Sequence, residues 1–132
     1  METDPVKYLT YTKAILHHIE LMRALGETRF GIFDRALLQS SLARPRHAAE
    51  YEKADLASQA ASLCYGLIKN HPWVGGNKRT ATHLTDHFLQ INGSEIVATT
   101  AEVVEMVKGV DSDSLALAEL TEWMRDHVRT LD

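Results

Sequence analysis

Asp55-Leu56-Ala57-Ser58-Gln59-Ala60-Ala61-Ser62-Leu63-Cys64-Tyr65-Gly66-Leu67-Ile68-Lys69-Asn70-His71-Pro72-Trp73-Val74-Gly75-Gly76-Asn77-Lys78-Arg79 is the stretch on which the fold turns. Leu56, Ala60, Leu63, Cys64, Leu67 and Ile68 recur at helical steps, so Asp55 to Lys69 reads as a central helix with one apolar stripe. Ala57 and Ala61 leave room for a neighbour to approach. Asn70-His71-Pro72 must end this helix, because the residue before a proline avoids the helical region. Gly75-Gly76 gives a turn without side chains, and a second helix starts near Asn77 or Lys78. Ala81, Leu84, Thr85 and Phe88 form its inner face, and Asn92-Gly93 closes it.

The flanks are also helical. Tyr8, Tyr11, Ile15, Ile19 and Met22 recur at spacings of three or four and predict a first helix, stopped by Gly26. Arg29-Phe30-Gly31-Ile32-Phe33 breaks the pattern and reads as extended or as a small hairpin. Asp34 is placed to cap a short helix over Ala36, Leu37, Leu38 and Leu42, which Pro45 should end. Thr99-x-x-Glu102 is a capping box before Val103, Val104 and Val107, with Gly109 as the expected stop. A last helix carries Leu117, Leu120, Met124 and Val128, with Trp123 beside them as core or partner surface. No repeat or linker interrupts the chain. The expectation is one all-α domain over residues 1–132, a compact helical bundle with a short hairpin or irregular flap near residues 27–33.

Composition narrows the function classes. The 132 residues carry a net charge of −4 and 45% hydrophobic residues, ordinary for a globular chain with a real core. The acidic balance is the opposite of a nucleic-acid footprint. Positive charge gathers only locally, at Arg44 with Arg46 and at Lys69, Lys78 and Arg79, which suits a compact anion. The single cysteine, Cys64, lies among Leu63, Tyr65 and Leu67 and reads as a buried hydrophobe. The first residues, METDPVKYLTYTK, have no basic stretch followed by an apolar one. No apolar run approaches the roughly 20 residues that span a bilayer, so the expected location is cytoplasmic, without membrane contact.

The loop His71 to Arg79 has a chemistry of its own. Two glycines let backbone amides turn toward one point, and the helix that follows adds its N-terminal amides and dipole. Lys78 and Arg79 offer charge to phosphate oxygens. His71 stands at the mouth of this cradle, and an imidazole's titration range suits taking a proton from an attacking hydroxyl. On the local pattern alone, an ordinary turn between helices with a solvated Lys-Arg pair remains open. Elsewhere, His83 and His87 are four apart, a zinc-helix spacing, but no third ligand is evident near them, and they read as solvent- or target-facing. His17 and His18 point to different sides of a helix and read as surface residues. Asp111 and Asp113 read as helix-capping acids.

His71-Pro72-Trp73-Val74-Gly75-Gly76-Asn77-Lys78-Arg79 resembles the signature of the Fic family, His-x-Phe-x-(Asp/Glu)-(Gly/Ala)-Asn-(Gly/Lys)-Arg, with Trp73 in the aromatic slot. Asn70-His71-Pro72 with Gly76-Asn77-Lys78-Arg79-Thr80-Ala81 is similar to the Doc (death-on-curing) branch. Tyr8-Leu9-Thr10, Leu37-Leu38, Leu42-Ala43-Arg44-Pro45, Ala60-Ala61, Tyr65-Gly66, Phe88-Leu89 and Asn92-Gly93 extend that similarity. The resemblance implies a Fic-like helical fold in which His71, Asn77, Lys78 and Arg79 are catalytic. Gly75, Gly76, Asn77, Lys78 and Arg79 would hold the phosphates of ATP or another nucleoside triphosphate, and Trp73 would anchor the loop. The flap at Arg29 to Phe33 would dock a target segment as an added strand.

Two departures from the family pattern direct the reading. Gly75 stands where the acid that holds Mg²⁺ is usual, so any Mg²⁺ lacks its carboxylate ligand, and no residue is assigned to a metal. Thr82 stands where nucleotidyl-transferring members keep a second arginine. With Lys78, it favours the Doc-like mode: phosphoryl transfer to a Ser/Thr hydroxyl of a protein, elongation factor Tu being the implied target. The resemblance also implies a toxin held in check by a small antitoxin protein, since the inhibitory (Ser/Thr)-x-x-x-Glu-(Gly/Asn) motif is missing from the chain. An AMP or other nucleotidyl transferase, and a non-catalytic fold that binds a nucleotide or partner, stay open as alternatives.

Overall fold

The computed structural model describes residues 5–132; Met1 to Asp4, the start of the stretch read for a leader, lie outside it. Its elements are α1 (Tyr11–Ala24), α2 (Arg35–Glu52), α3 (Leu56–Asn70), α4 (Asn77–Gln90), β1 (Ser94–Ile96), α5 (Thr100–Asp111), α6 (Leu117–His127) and β2 (Val128–Thr130). The central helix is α3. Its Ala60, Ala61, Leu63, Cys64, Leu67 and Ile68 are buried, and α2, α4, α5 and α6 pack around it. Stripes of the other helices complete the core: Leu38 and Leu42 from α2, Ala81, Leu84 and Phe88 from α4, Val110 from α5, Leu120 and Met124 from α6. Burial holds the Cys64 thiol up at about 12, which keeps it an inert packing group.

The helix starts follow local chemistry. Thr10, Asp34 and Asp55 each accept a hydrogen bond from a backbone N–H in the first turn of α1, α2 and α3. Thr99 and Glu102 form the reciprocal capping box of α5. No helix among the described residues is long and apolar enough to cross a membrane.

Three expected boundaries are corrected. Pro45 does not end α2, which continues to Glu52. The ring falls on the buried stripe Leu38, Ser41, Leu42, Pro45, Ala48, and packing along α3 outweighs the hydrogen bond a proline forfeits. Ties between the two helices add to that packing: Arg44 donates to the Ser62 carbonyl at 2.8 Å and Asn70 to the Ser41 hydroxyl at 2.9 Å. Gly109 does not stop α5 either. A Cβ there would come within 3.1 Å of the Leu115 side chain, so this glycine admits the returning chain. Val128 leaves α6 and pairs with Ile96 in the antiparallel ribbon of β1 and β2, which periodicity gave no sign of. The segment near residues 27–33 takes the irregular form, with a single antiparallel bridge from Ile32 to Trp73.

Candidate active-site loop

The loop is built from the end of α3 outward. His71 caps that helix in the left-handed region, φ 48°, which a non-glycine residue adopts only at a cost. Pro72 then sends the chain alongside the flap. Its carbonyl accepts from Phe33 N at 2.8 Å and Asp34 N at 3.1 Å, and Val74 N donates to the Gly31 carbonyl at 2.9 Å. Trp73 is 2% exposed. Its backbone is clamped by Asn77, whose amide accepts from Trp73 N and donates to Trp73 O, both at 2.9 Å. Asn77 therefore shapes the loop through its backbone, closing residues 73–77 into a ring.

The two glycines have different reasons. Gly76 has φ +70° and caps α4 with no side chain, and among the described residues no side chain caps that helix start. Its first amides are thus left for an outside acceptor. Gly75 is required by space: a Cβ there would lie 2.6 Å from the Arg29 carbonyl oxygen. An acid at this position is incompatible with the flap where it stands. Gly75→Ala should therefore lower stability by about 1–3 kcal/mol, and Gly75→Asp by no less. Urea midpoints, with amide exchange at Phe33 and Val74, check this; a Gly75→Ala midpoint equal to wild type would refute the steric reading.

His71, Lys78 and Arg79 face one cavity of about 490 Å³, also lined by Met22, Glu27 and Arg29. The size suits a small ligand. All three side chains are at least half exposed. Each also meets a carboxylate: Asp111 lies 3.3 Å from His71 Nε2 and 3.2 Å from Lys78 Nζ, and Glu27 lies 3.5 Å from Arg79. The hydrogen bond from Lys78 holds the Asp111 carboxyl below the usual carboxylate range; desolvation opposes this and His71 adds to it. Both nearby carboxylates are thus already engaged by cations or the imidazole, and Gly75 supplies none. This donor set fits phosphate oxygens and does not by itself make a seat for a hard cation. Thr82 spends its hydroxyl on the Arg79 carbonyl at 3.0 Å, within its own helix.

Two residues of this region escaped the sequence reading. Asp111, expected as a helix-capping acid, lies against the loop from the end of α5; it is distant in sequence, and only the tertiary fold brings it there. His18, taken for a surface residue, is fully buried. It stacks on Trp73 with ring centroids 4.0 Å apart, meets the Thr80 hydroxyl at 2.8 Å through Nδ1, and accepts from Gly31 N at 3.0 Å through Nε2. The signal that could have found it is the i, i+4, i+8 row Ala14, His18, Met22, the buried stripe of α1. His17, by contrast, crosses to α4 and joins His83 and His87, with ring centroids 5.5 and 4.0 Å away. Burial foremost, then the repulsion of neighbouring imidazoles, lowers the pKa of His83 and His87. Among the described residues no group of three His, Cys, Asp or Glu side chains is arranged to hold a metal ion.

A sequence model described as the Fic/DOC family matches residues 8–89, which include the whole loop. The chain is 38% identical over 79 residues to a protein named Toxin Doc from Mycolicibacterium smegmatis, a stretch that covers 55% of this chain and 61% of that protein. The match thus spans under two thirds of the relative's length. Among solved structures, the fold resembles the N-terminal Fic domain of a putative cell filamentation protein (VirB-translocated Bep effector protein) from Bartonella quintana. The TM-score is 0.51 at 16% identity, over 71% of this chain and 47% of that one. At that identity the likeness concerns the fold.

Proposed function

Because the chain belongs to the Fic/DOC family, we propose that the loop from His71 to Arg79 binds a nucleoside triphosphate and transfers its γ-phosphoryl group to a Ser or Thr hydroxyl of a target protein. The observation that carries this reading is the convergence of His71, Lys78 and Arg79 on one cavity at the uncapped start of α4. His71 takes the hydroxyl proton as the oxygen attacks phosphorus. The bond from the γ-phosphorus to its bridging oxygen breaks, and the nucleoside diphosphate leaves with the electron pair. Lys78, Arg79 and the α4 amides balance the charge on the phosphate oxygens, while Gly76 and Asn77 fix the loop's shape. The name of the mycobacterial relative supports a toxin whose partner is a small antitoxin protein. Elongation factor Tu is the target this reading names, and the cytoplasm its place of action.

Thr82, held within its own helix, favours phosphoryl over nucleotidyl transfer. Incubation with ATP labelled at the α or the γ position, with elongation factor Tu and with a bacterial lysate, tests the proposal. Label should reach a protein from the γ position only, and His71→Ala should cut transfer to about 1% or less of wild type. Label arriving only from the α position would replace the reading with nucleotidyl transfer. A second reading, a non-catalytic nucleotide-binding fold, is favoured by the Arg29 carbonyl that excludes an acid at Gly75. It predicts nucleotide binding without label transfer, and a growth effect unchanged by His71→Ala.

A further inference from the structure

We infer that Asp111 is a positioning residue for His71: from the last turn of α5, its carboxylate holds the imidazole proton on Nε2 and leaves Nδ1 as the basic nitrogen. The inference rests on the proposed role of His71 and adds a residue outside the signature loop. Asp111 Oδ1 lies 3.3 Å from His71 Nε2, and its other oxygen lies 3.2 Å from the Lys78 ammonium. A carboxylate accepts only, so Nε2 must donate, and a neutral imidazole then has its lone pair on Nδ1. The ring is thereby fixed in tautomer and in rotation, the service a carboxylate renders to a general base.

The placement argues against a merely structural acid. The C-terminal end of a helix carries the negative pole, so a carboxylate there opposes the dipole of α5. The partners that offset it are the functional residues of the loop and the positive end of α4. Asp111 is also held firmly. Two residues on, Asp113 pairs with Lys69, whose ammonium also reaches the Val110 carbonyl at 3.5 Å. Leu115 N closes the turn on the Gly109 carbonyl at 2.9 Å. A pre-set carboxylate costs little further ordering when a substrate hydroxyl arrives. Lys78, locked to the same carboxylate, keeps the imidazole and the phosphate-facing cation in a fixed relation.

The test compares wild type with Asp111→Ala, His71→Ala and the control Glu105→Ala, an exposed acid on the same helix, each checked for folding by circular dichroism. Nitrogen-15 spectra of the imidazoles, with His71 assigned through His71→Ala, report which nitrogen bears the proton. The proton should sit on Nε2 in wild type and Glu105→Ala, and spread over both nitrogens in Asp111→Ala. With γ-labelled ATP, Asp111→Ala should lower kcat about tenfold without raising KM for the nucleotide. An unchanged His71 tautomer in Asp111→Ala overturns the inference, as does a loss carried by KM alone. If no variant and no wild type transfers label, the proposed function fails, and the tautomer measurement still decides the role of Asp111.

Discussion

Trp73→Ala should destabilise the protein by about 3–5 kcal/mol and, in the molecules that stay folded, release the loop it anchors. The indole is 2% exposed and lies against the His18 ring, so truncation leaves a cavity between α1 and the loop. The effect reaches the site through the backbone. The Trp73 backbone carries the Asn77 clamp and the bridge to Ile32 of the flap, so once the indole no longer holds that backbone in place the loop and the flap should both loosen. Trp73→Phe should behave differently. Among the described residues the indole Nε1 has no hydrogen-bond partner, and an unpaired buried donor carries a penalty of about 1–3 kcal/mol. Phenylalanine gives up apolar area but removes that donor, so its stability should fall within about 1 kcal/mol of wild type. Urea unfolding of the two variants decides the matter. A Trp73→Phe loss as large as that of Trp73→Ala would show that the unpaired Nε1–H carries no such penalty.

The contrast between Trp73 and His18 shows what the sequence could carry. Helix starts were legible where a cap, a local device, marks them: Asp34 and Thr99 act within one turn of themselves. The stripe of α3 was legible because burial imposes its period, and the turn between α3 and α4 because its glycines adjoin in sequence. Pro45 and Gly109 misled for a common reason. Their local propensities are a few kcal/mol at most, and the packing of α2 on α3 and of Leu115 on α5 outweighs them. Other features had no local signal. Asp111 is far from the loop in sequence, and β1 and β2, at three residues each, are too short to carry a periodic one. His18 was hidden by its neighbour: a His-His pair suggests a polar surface, yet consecutive residues lie about 100° apart around a helix, and only one of the pair follows the buried stripe.

The burial of His18 predicts acid lability at a pH set by one side chain. Accepting from Gly31 N requires an unprotonated Nε2, so Nδ1–H donates to Thr80 and the buried ring is neutral. Burial lowers its pKa from 6.5 to about 4. Between those values the unfolded chain takes up a proton that the folded chain refuses. The contribution of His18 is therefore intact above pH 6.5, falls as the pH drops, and levels off below about 4. The loss amounts to about 3–4 kcal/mol, at about 1.4 kcal/mol per pKa unit. His83 and His87 act in the same direction. His127 acts in the opposite one: burial would lower its pKa, but the Trp123 carbonyl and Glu102 outweigh this and raise it. Glu102, held down to about 2 chiefly by the Thr99 backbone, contributes stability that is intact above the carboxylate range and is lost as the pH falls through it. Protonated His18 would turn a second N–H toward the Gly31 amide, so the flap should detach from the loop before the helices melt. Urea midpoints measured from pH 7 to 4, with amide exchange at Gly31 and Val74, follow both stages. His18→Gln, whose amide can still accept from Gly31 and donate to Thr80, should start less stable for want of the ring on Trp73. Its stability should then fall less steeply between pH 6.5 and 4, by about one proton's worth of slope; a slope equal to that of wild type would clear His18 of the effect.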